Sequence, residues 1–198
     1  MGYSNYKKLK QVVDKFGITT QRSQLFAQIT PIEPSEWLKQ SMNIANAVML
    51  TNEKVKSERL ISPILSEVHL LHKHKLSLFS GEELNVDVAN DLNGPCDFFF
   101  SANPNSYLLT APIVAFAEAK DENIDYGIAQ CTAQMIGAQL FNQLSEKTTP
   151  TIWGCSTTGG EWRFLKLTDK ILYVDEQSYY IDKVDVLLGI FHQIIEQI

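Results

Sequence analysis

The stretch YLLTAPIVAFAEAK, residues 107–120, holds the features of this sequence that decide its fold. Residues 107–119 are apolar at most positions, which predicts a strand that is buried on both faces and therefore central in a sheet. Because side chains alternate across a strand, Phe116, Glu118 and Lys120 should share one face, and the alternate alanines the other. The alanine face would let a helix pack closely on the sheet, while the carboxylate and the ammonium would meet solvent at the end of the strand.

Patterns upstream of this strand predict helices followed by a change to alternation. Helical spacing and cap residues predict a helix at residues 1–17 stopped by Gly17, a connection at residues 18–34, a helix at about residues 36–59 capped by Ser35, an interruption at Pro63, and a helical piece through Leu71. Over residues 76–88, on either side of Gly81, the helical spacing of apolar residues gives way to alternation of apolar and polar residues. This change predicts a hairpin-like strand pair or one long bulged strand.

The rest of the chain alternates between strand and helix signals. The predicted elements are a strand at residues 97–100, a turn at Asn103-Pro104-Asn105, a helix at about residues 126–144 capped by Asp125, strands at residues 151–156 and 162–167 around Gly159-Gly160, a short strand at residues 171–174, and an amphipathic helix from Lys183 to the end. This order predicts a mixed α/β fold around one sheet, without the regular alternation of a doubly wound fold.

Composition places the chain among ordinary globular proteins. Of its 198 residues, 44% are hydrophobic and 20% are charged, which suits one domain, or a domain with an appended helical element. The net charge of -6 counts against a protein that coats nucleic acid, but it is compatible with a nuclease that has acidic metal ligands and a local basic patch. Three cysteines without a CxxC pair argue against a disulfide framework or a zinc knuckle. Without a long apolar run or a signal-peptide pattern, we expect a cytoplasmic protein with no membrane partner.

A second carboxylate, Asp97, begins the strand that precedes the central one. If the two strands pair through the turn at residues 103–106, Asp97 comes near Glu118, and two converging carboxylates form the hard oxygen site that magnesium or manganese prefers. The backbone carbonyl of Ala119 would add a third protein ligand. A metal ion there would hold a phosphate and activate an attacking water. Lys120 would orient that water or neutralise charge on the phosphate oxygens.

Pro95-Cys96-Asp97, followed by Glu118-Ala119-Lys120, resembles the motif of the PD-(D/E)XK nuclease superfamily. The resemblance implies an α/β fold with a restriction-endonuclease-like core, in which a central mixed β-sheet is flanked by helices. The implied organisation is a single domain of residues 1–198, with the nuclease-like core at about residues 50–170, an N-terminal helical extension at residues 1–40 and a C-terminal helix at residues 183–198. The implied function is a metal-dependent DNA endonuclease that hydrolyses phosphodiester bonds with an activated water and uses Mg²⁺ or Mn²⁺. A homodimer would allow such an enzyme to cut both strands.

Two flanking helices carry further candidates by the same resemblance. The helix after the core, expected on the alanine face of the sheet, supplies the glutamine often found there in Holliday-junction-resolvase-like branches, and Gln130 is that candidate catalytic residue. Gln134 lies one turn on and could share its role. The segment at residues 53–65 is similar to the helix that precedes the core in nuclease domains of type I restriction enzymes. A glutamate on that helix often assists the metal site, for which Glu58 is the candidate and Glu67 the rival.

Two other functions stay open on the sequence. The first is a restriction-endonuclease-fold protein that binds nucleic acid or a protein partner without cutting. The second is a structural α/β module in which Glu118 and Lys120 form only a surface ion pair. The histidines His69, His72 and His74 favour a solvated, mildly basic segment over a transition-metal site, because their spacing repeats no known motif.

Overall fold

The protein, described here by a computed structural model, folds around an eight-stranded mixed sheet with helices on both faces. The structure describes residues 2–104, 106–147 and 149–198. The strands are β1 Thr19–Ser23, β2 Ser77–Ser80, β3 Phe98–Ser101, β4 Ile113–Ala119, β5 Thr151–Thr157, β6 Glu161–Thr168, β7 Ile171–Asp175 and β8 Tyr179–Tyr180. Their order across the sheet is β1-β7-β6-β5-β4-β3-β2, and β8 pairs with the start of β6. The predicted mixed α/β architecture is confirmed.

The helices follow the capping rules that their sequences suggest. They are α1 Leu9–Phe16, α2 Glu36–Asn46, α3 Glu53–Lys56, α4 Ser62–Leu71, α5 Ile124–Leu144 and α6 Val184–Ile195, with a π-helical turn at Ser57–Ile61 between α3 and α4. The Ser35 side chain accepts a hydrogen bond from the Leu38 N–H and caps α2, as predicted. Gly17 ends α1 in the left-handed conformation, with φ of 62°. In the parts of the chain that the structure describes, no helix has the length and apolar character needed to cross a membrane.

β4 is the central strand that its apolar sequence predicted. It pairs in parallel with β5 and antiparallel with β3, and all seven of its residues are buried. The strand is shorter than predicted because it begins directly after Pro112, which has no N–H for a ladder hydrogen bond. Burial on both faces explains why the sequence of β4 is apolar without alternation.

Alternation along β4 divides the hydrophobic core into two clusters. One cluster joins the Phe116 face of β4 to α5, through residues that include Phe116, Ile128, Cys131 and Met135. The other joins the alanine face to α4 and α6, through residues that include Ala115, Ala117, Ile64, Leu65, Leu187 and Phe191. The alanines therefore admit helices as expected, but the expectation that α5 is one of them is wrong. The small residue that admits α5 is Gly154 on β5, which lies opposite Phe116.

Three upstream predictions are corrected by the structure. The connection predicted at residues 18–34 contains β1, whose polar sequence gives no alternation signal but which pairs in parallel with β7. The helix predicted to run to residue 59 ends at Asn46, since Val48 and Met49 are exposed and do not continue a buried face. Pro63 does not interrupt the helical path, because the preceding π-helical turn is wide enough to accept its ring.

Two later boundaries also differ. Residues 83–87 make only two isolated bridges, Glu83 with Pro95 and Asp87 with Leu92, so the second half of the predicted hairpin is not a strand. The cap of α5 is Asn123 rather than Asp125: its side chain accepts hydrogen bonds from the backbone N–H groups of residues 125 and 126. The turn predicted at residues 103–105 includes Asn105, which lies outside the described residues.

Gly154 sets how closely α5 can approach the sheet, so we expect Gly154→Ala to destabilise the protein. An added Cβ would lie 2.7 Å from both Cys131 Sγ and Met135 Sδ, and both of these side chains are fully buried. Overpacking of this kind costs about 1–3 kcal/mol, which exceeds the gain from replacing a strand glycine. The measurement is the free energy of unfolding in urea. Gly160→Ala, where an added Cβ meets open space, is the matched control and should change little; equal effects of the two substitutions would contradict the packing argument.

Candidate active site

The ends of β3 and β4 bring two acidic side chains into one cleft. In the antiparallel pairing, Phe98 lies opposite Ala117 and Phe99 opposite Phe116. The next position along this register places Asp97 beside Glu118, on the face of the sheet that α5 covers. The cleft has a volume of about 370 Å³, and its walls include Asp97, Glu118, Lys120, Gln130, Glu53, Tyr126 and the N-terminal residues Tyr3, Ser4 and Lys7. Three of the predicted site residues and Gln130 therefore share one cleft.

Asp97 is held by the backbone of the neighbouring strand. The N–H of Ala119 donates to Asp97 Oδ2 at 2.8 Å. Burial raises the pKa of the Asp97 carboxyl, while the charge of Lys120 and the hydrogen bond from Ala119 act in the opposite direction. The carboxyl thus has a fixed orientation, which a binding group needs.

Glu118 is a buried carboxylate with a partner on each oxygen. Its exposed fraction is 1%, Lys120 Nζ donates to Oε1 at 2.7 Å, and Gln134 Nε2 donates to Oε2 at 2.7 Å. Burial, followed by the charge of Asp97, raises the pKa of Glu118 to about 8. Without a cation the Glu118 carboxyl therefore keeps its proton at neutral pH, and a bound cation would favour its ionised form.

Lys120 is less exposed than its place at a strand end suggested. Its side chain is 16% exposed, and Nζ also donates to the Ala119 carbonyl at 2.6 Å. Burial lowers the pKa of Lys120, but the charge of Glu118 and its hydrogen bond outweigh burial and leave that pKa raised. The ammonium is therefore retained at neutral pH, between Glu118 and the more distant Glu53, which lies 3.9 Å away.

The two glutamines of α5, which the sequence analysis allowed to share one role, have different positions relative to the cleft. Gln130 lines the cleft, as expected of a residue directed toward Lys120. Gln134, one turn on, makes the direct hydrogen bond to Glu118. Among the described residues, Gln134 Oε1 is a buried acceptor without a hydrogen-bond partner.

In the helical segment that runs from α3 to α4, the acidic residue that reaches the cleft is Glu53, not Glu58 or Glu67. Glu58 is exposed and lines a separate groove with Trp37. It lies five residues after Glu53, which at about 100° per residue turns it roughly 140° around the helix and away from the cleft. Glu67 is buried and accepts hydrogen bonds from Ser35 N and Oγ, both at 2.8 Å. The sequence indicated the correct segment but could not say which turn faces the cleft.

The N-terminal segment also contributes to the cleft, although the sequence placed residues 1–40 outside the nuclease-like core. Tyr3 N donates to the Asn93 carbonyl at 3.0 Å, which holds Ser4 and Lys7 at the cleft wall. The side chain of Tyr3 also packs against Gly137 of α5. No motif in these residues signals this role, which depends on contacts between distant parts of the chain.

Comparison with known proteins assigns no function to this chain, so the assignment rests on the chemistry of the cleft. No model of a known protein family matches the chain, and no curated protein matches it. The groups that could hold a cation are the Asp97 and Glu118 carboxylates and the Ala119 carbonyl, all of them oxygen donors. Oxygen donors of this kind suit hard divalent cations such as Mg²⁺ and Mn²⁺.

The buried bonds of Glu67 predict a structural role that Glu58 lacks. We expect Glu67→Ala to lower the free energy of unfolding by about 1.5–3 kcal/mol, because hydrogen bonds to a charged group are lost and the Ser35 N–H loses its acceptor. Glu58→Ala should change stability by less than about 0.5 kcal/mol, as exposed positions usually do. Chemical denaturation of both variants checks this, and a Glu67→Ala variant as stable as Glu58→Ala would contradict it.

Proposed function

We propose that the protein is a metal-dependent DNA endonuclease of the PD-(D/E)XK type, which hydrolyses phosphodiester bonds with an activated water. The observation that carries the proposal is the arrangement of Asp97, Glu118 and Lys120 in one cleft at the ends of two paired strands. The order of these residues along the chain and their strand positions resemble the superfamily motif, although Cys96 separates Pro95 from Asp97. The restriction-endonuclease-like fold, a cytoplasmic location and a homodimer belong to the same proposal.

The residues of the cleft fit a divalent cation. Two carboxyl groups face one ammonium, so once a cation displaces the Glu118 proton the two carboxylates outnumber Lys120 even before Glu53 is counted. Asp97 and Glu118 would hold the cation together with the Ala119 carbonyl, which would require Lys120 Nζ to release that carbonyl. The buried acceptor Gln134 Oε1 adds further negative potential nearby. Bound Mg²⁺ or Mn²⁺ would supply Lewis acidity toward the scissile phosphate and its attacking water.

The protein's own groups would position the attacking water and the two metal-binding carboxylates. Lys120 would orient the water or neutralise charge on the phosphate oxygens in the transition state. Gln134 fixes the Glu118 carboxylate, and the Ala119 N–H fixes that of Asp97, so neither group needs to reorganise when substrate binds. Gln130 lies in the cleft wall, where it can contact the substrate or Lys120.

DNA binding needs positive charge on a chain whose net charge is -6. Lys7 is exposed in the wall of the cleft, and the next residue, Lys8, is exposed as well. Lys7 and Lys120 therefore bring positive charge to the cleft wall, and Lys8 extends it along the exposed surface beside Lys7. Their proposed role is to contact backbone phosphates next to the cleaved bond.

The second candidate function is a protein of the same fold that binds nucleic acid or a protein partner without cutting. The observation that favours it is that the polar groups of the site already bond to one another, since Lys120 Nζ donates to Glu118 and to the Ala119 carbonyl. A closed ion pair of this kind also suits a structural role. Metal-dependent cleavage separates the two functions.

Replacement of Lys120 should remove most cleavage. We expect Lys120→Ala to lower the single-turnover rate by about 10²–10³, because its stabilisation acts mainly in the transition state. Since Lys120 is mostly buried beside Glu118, Lys120→Ala should also lose stability, and Lys120→Arg, which keeps the positive charge, serves as the variant that folds. The assay is single-turnover cleavage of plasmid and branched DNA with Mg²⁺ or Mn²⁺. Asp97→Asn should weaken metal binding instead, with partial rescue by excess Mn²⁺.

Lys54→Ala is the matched control, because Lys54 is a highly exposed lysine on α3 and lies outside the cleft wall. Its rate should equal that of the wild type. Wild-type protein that binds metal yet cuts neither substrate would favour the non-cutting function. Cleavage that persists unchanged in folded Lys120→Arg and Lys120→Ala would show that the active site lies elsewhere.

Glu53 and Glu58 provide a second matched pair on one helical segment. We expect Glu53→Gln to lower cleavage or metal affinity by about 10–100-fold, the usual effect of losing a group that supports a metal site. Glu58→Gln should leave both unchanged, since Glu58 faces a different groove. Titration of Mn²⁺ into each variant, followed by cleavage assays, measures the two effects. A larger loss in Glu58→Gln would restore the assignment that the sequence suggested.

A further inference from the structure

A second cluster of metal-binding side chains lies where the C-terminal ends of α4 and α6 meet. His72 follows the last residue of α4, and His192 and Glu196 lie one turn apart at the end of α6. One possible ligand atom from each of these residues lies within 4.8 Å of the other two. The cluster joins parts of the chain that are 120 residues apart and shares no residue with the Asp97 cleft.

The spacing of the two imidazoles suits a shared ion. His192 Nδ1 and His72 Nε2 are 3.2 Å apart. Two nitrogen ligands bound to one tetrahedral Zn²⁺ at 2.0–2.1 Å lie about 3.3 Å from each other, so the two nitrogens already have the separation of a shared site, and the rings need only turn to direct their lone pairs at one ion. The rings are stacked, with centroids 5.1 Å apart, and this packing limits their freedom before an ion binds.

The two imidazoles differ in their exposure to solvent. His72 is 4% exposed, so the prediction of a solvated segment is wrong for this residue. Burial lowers the pKa of His72, and the nearby His192, Lys75 and His74 lower it further, while Glu196 raises it. A neutral imidazole has one nitrogen with a free lone pair, so the tautomers with His72 Nε2 and His192 Nδ1 unprotonated would offer both of these atoms to one ion.

The surroundings favour a cation at this position. The carboxyl ends of two helices meet there, and their unpaired carbonyl groups carry partial negative charge. Lys75 would compete with a metal ion for Glu196, because its Nζ lies 2.7 Å from Glu196 Oε1. This ion pair is exposed, and exposed pairs contribute at most about 1 kcal/mol, so Glu196 is readily available to a metal.

We propose that His72, His192 and Glu196 form a binding site for one transition-metal ion of the zinc class. The ligands are His72 Nε2, His192 Nδ1 and a Glu196 carboxylate oxygen, with water at the fourth position. Two imidazoles and one carboxylate select Zn²⁺ over Mg²⁺, which prefers oxygen ligands alone. The ion would fasten the C-terminal helix to α4, and both helices cover the alanine face of β4.

The test uses untagged full-length protein, freed of metal with EDTA and then titrated with ZnCl₂ in a calorimeter. The carboxylate cleft is disabled in a parallel Asp97→Asn, Glu118→Gln variant, so that zinc binding at the two places is distinguished. We expect one zinc site in both proteins and a higher thermal midpoint with Zn²⁺, because an ion that binds only the folded state stabilises it. Co²⁺ should give the visible absorption of a tetrahedral site.

His192→Ala is the decisive variant, because His192 is exposed and its loss leaves no cavity in the core. Removing this ligand should lower zinc affinity by more than the 10–100-fold typical of outer-shell residues. His74→Ala, an exposed histidine two positions from His72, is the control and should bind zinc as the wild type does. Equal affinity in His192→Ala and wild type, equal losses in both variants, or no zinc binding in the Asp97→Asn, Glu118→Gln protein would each overturn the proposal.

Discussion

The burial of one carboxylate, Glu118, is the constraint on which the centre of this structure depends. At 1% exposure, Glu118 has lost its water, and a buried charge without partners would cost several kcal/mol. Lys120 and Gln134 supply those partners from two different elements, the end of β4 and the middle of α5. The sheet and the helix must therefore meet in one relative position if both oxygens are to be bonded.

That position is set by small residues rather than by polar ones. Gly154 admits the sulfur atoms of Cys131 and Met135, which lets α5 approach β4 and β5 closely enough for Gln134 to reach Glu118. On the opposite face, the alanines of β4 receive α4 and α6. Close packing on both faces thus fixes a polar group at the centre, and the same group gives the proposed nuclease its metal ligand.

The central strand and the shared face of Glu118 and Lys120 could be predicted because they depend on local patterns. An apolar run indicates burial on both faces, and alternation places Glu118 and Lys120 on one side. What could not be predicted depends on contacts between distant segments. Whether Glu53 or Glu58 reaches the cleft depends on the rotation of a helix, and β1 has a polar sequence that becomes a strand only through β7. His72 and His192, far apart in sequence, likewise show no joint signal.

The pairing of β1 with β7 has a consequence for the order in which the protein can be assembled during synthesis. Thr19 lies opposite Ile171, so the first strand to leave the ribosome must wait for one of the last. Closing such a long loop carries a large entropic cost, and contacts of this range form late in folding. The hairpin of β3 and β4 needs only nearby residues, so it can form while β1 is still unpaired. In a nascent chain, the acidic pair would therefore come together before the sheet gains its final edge.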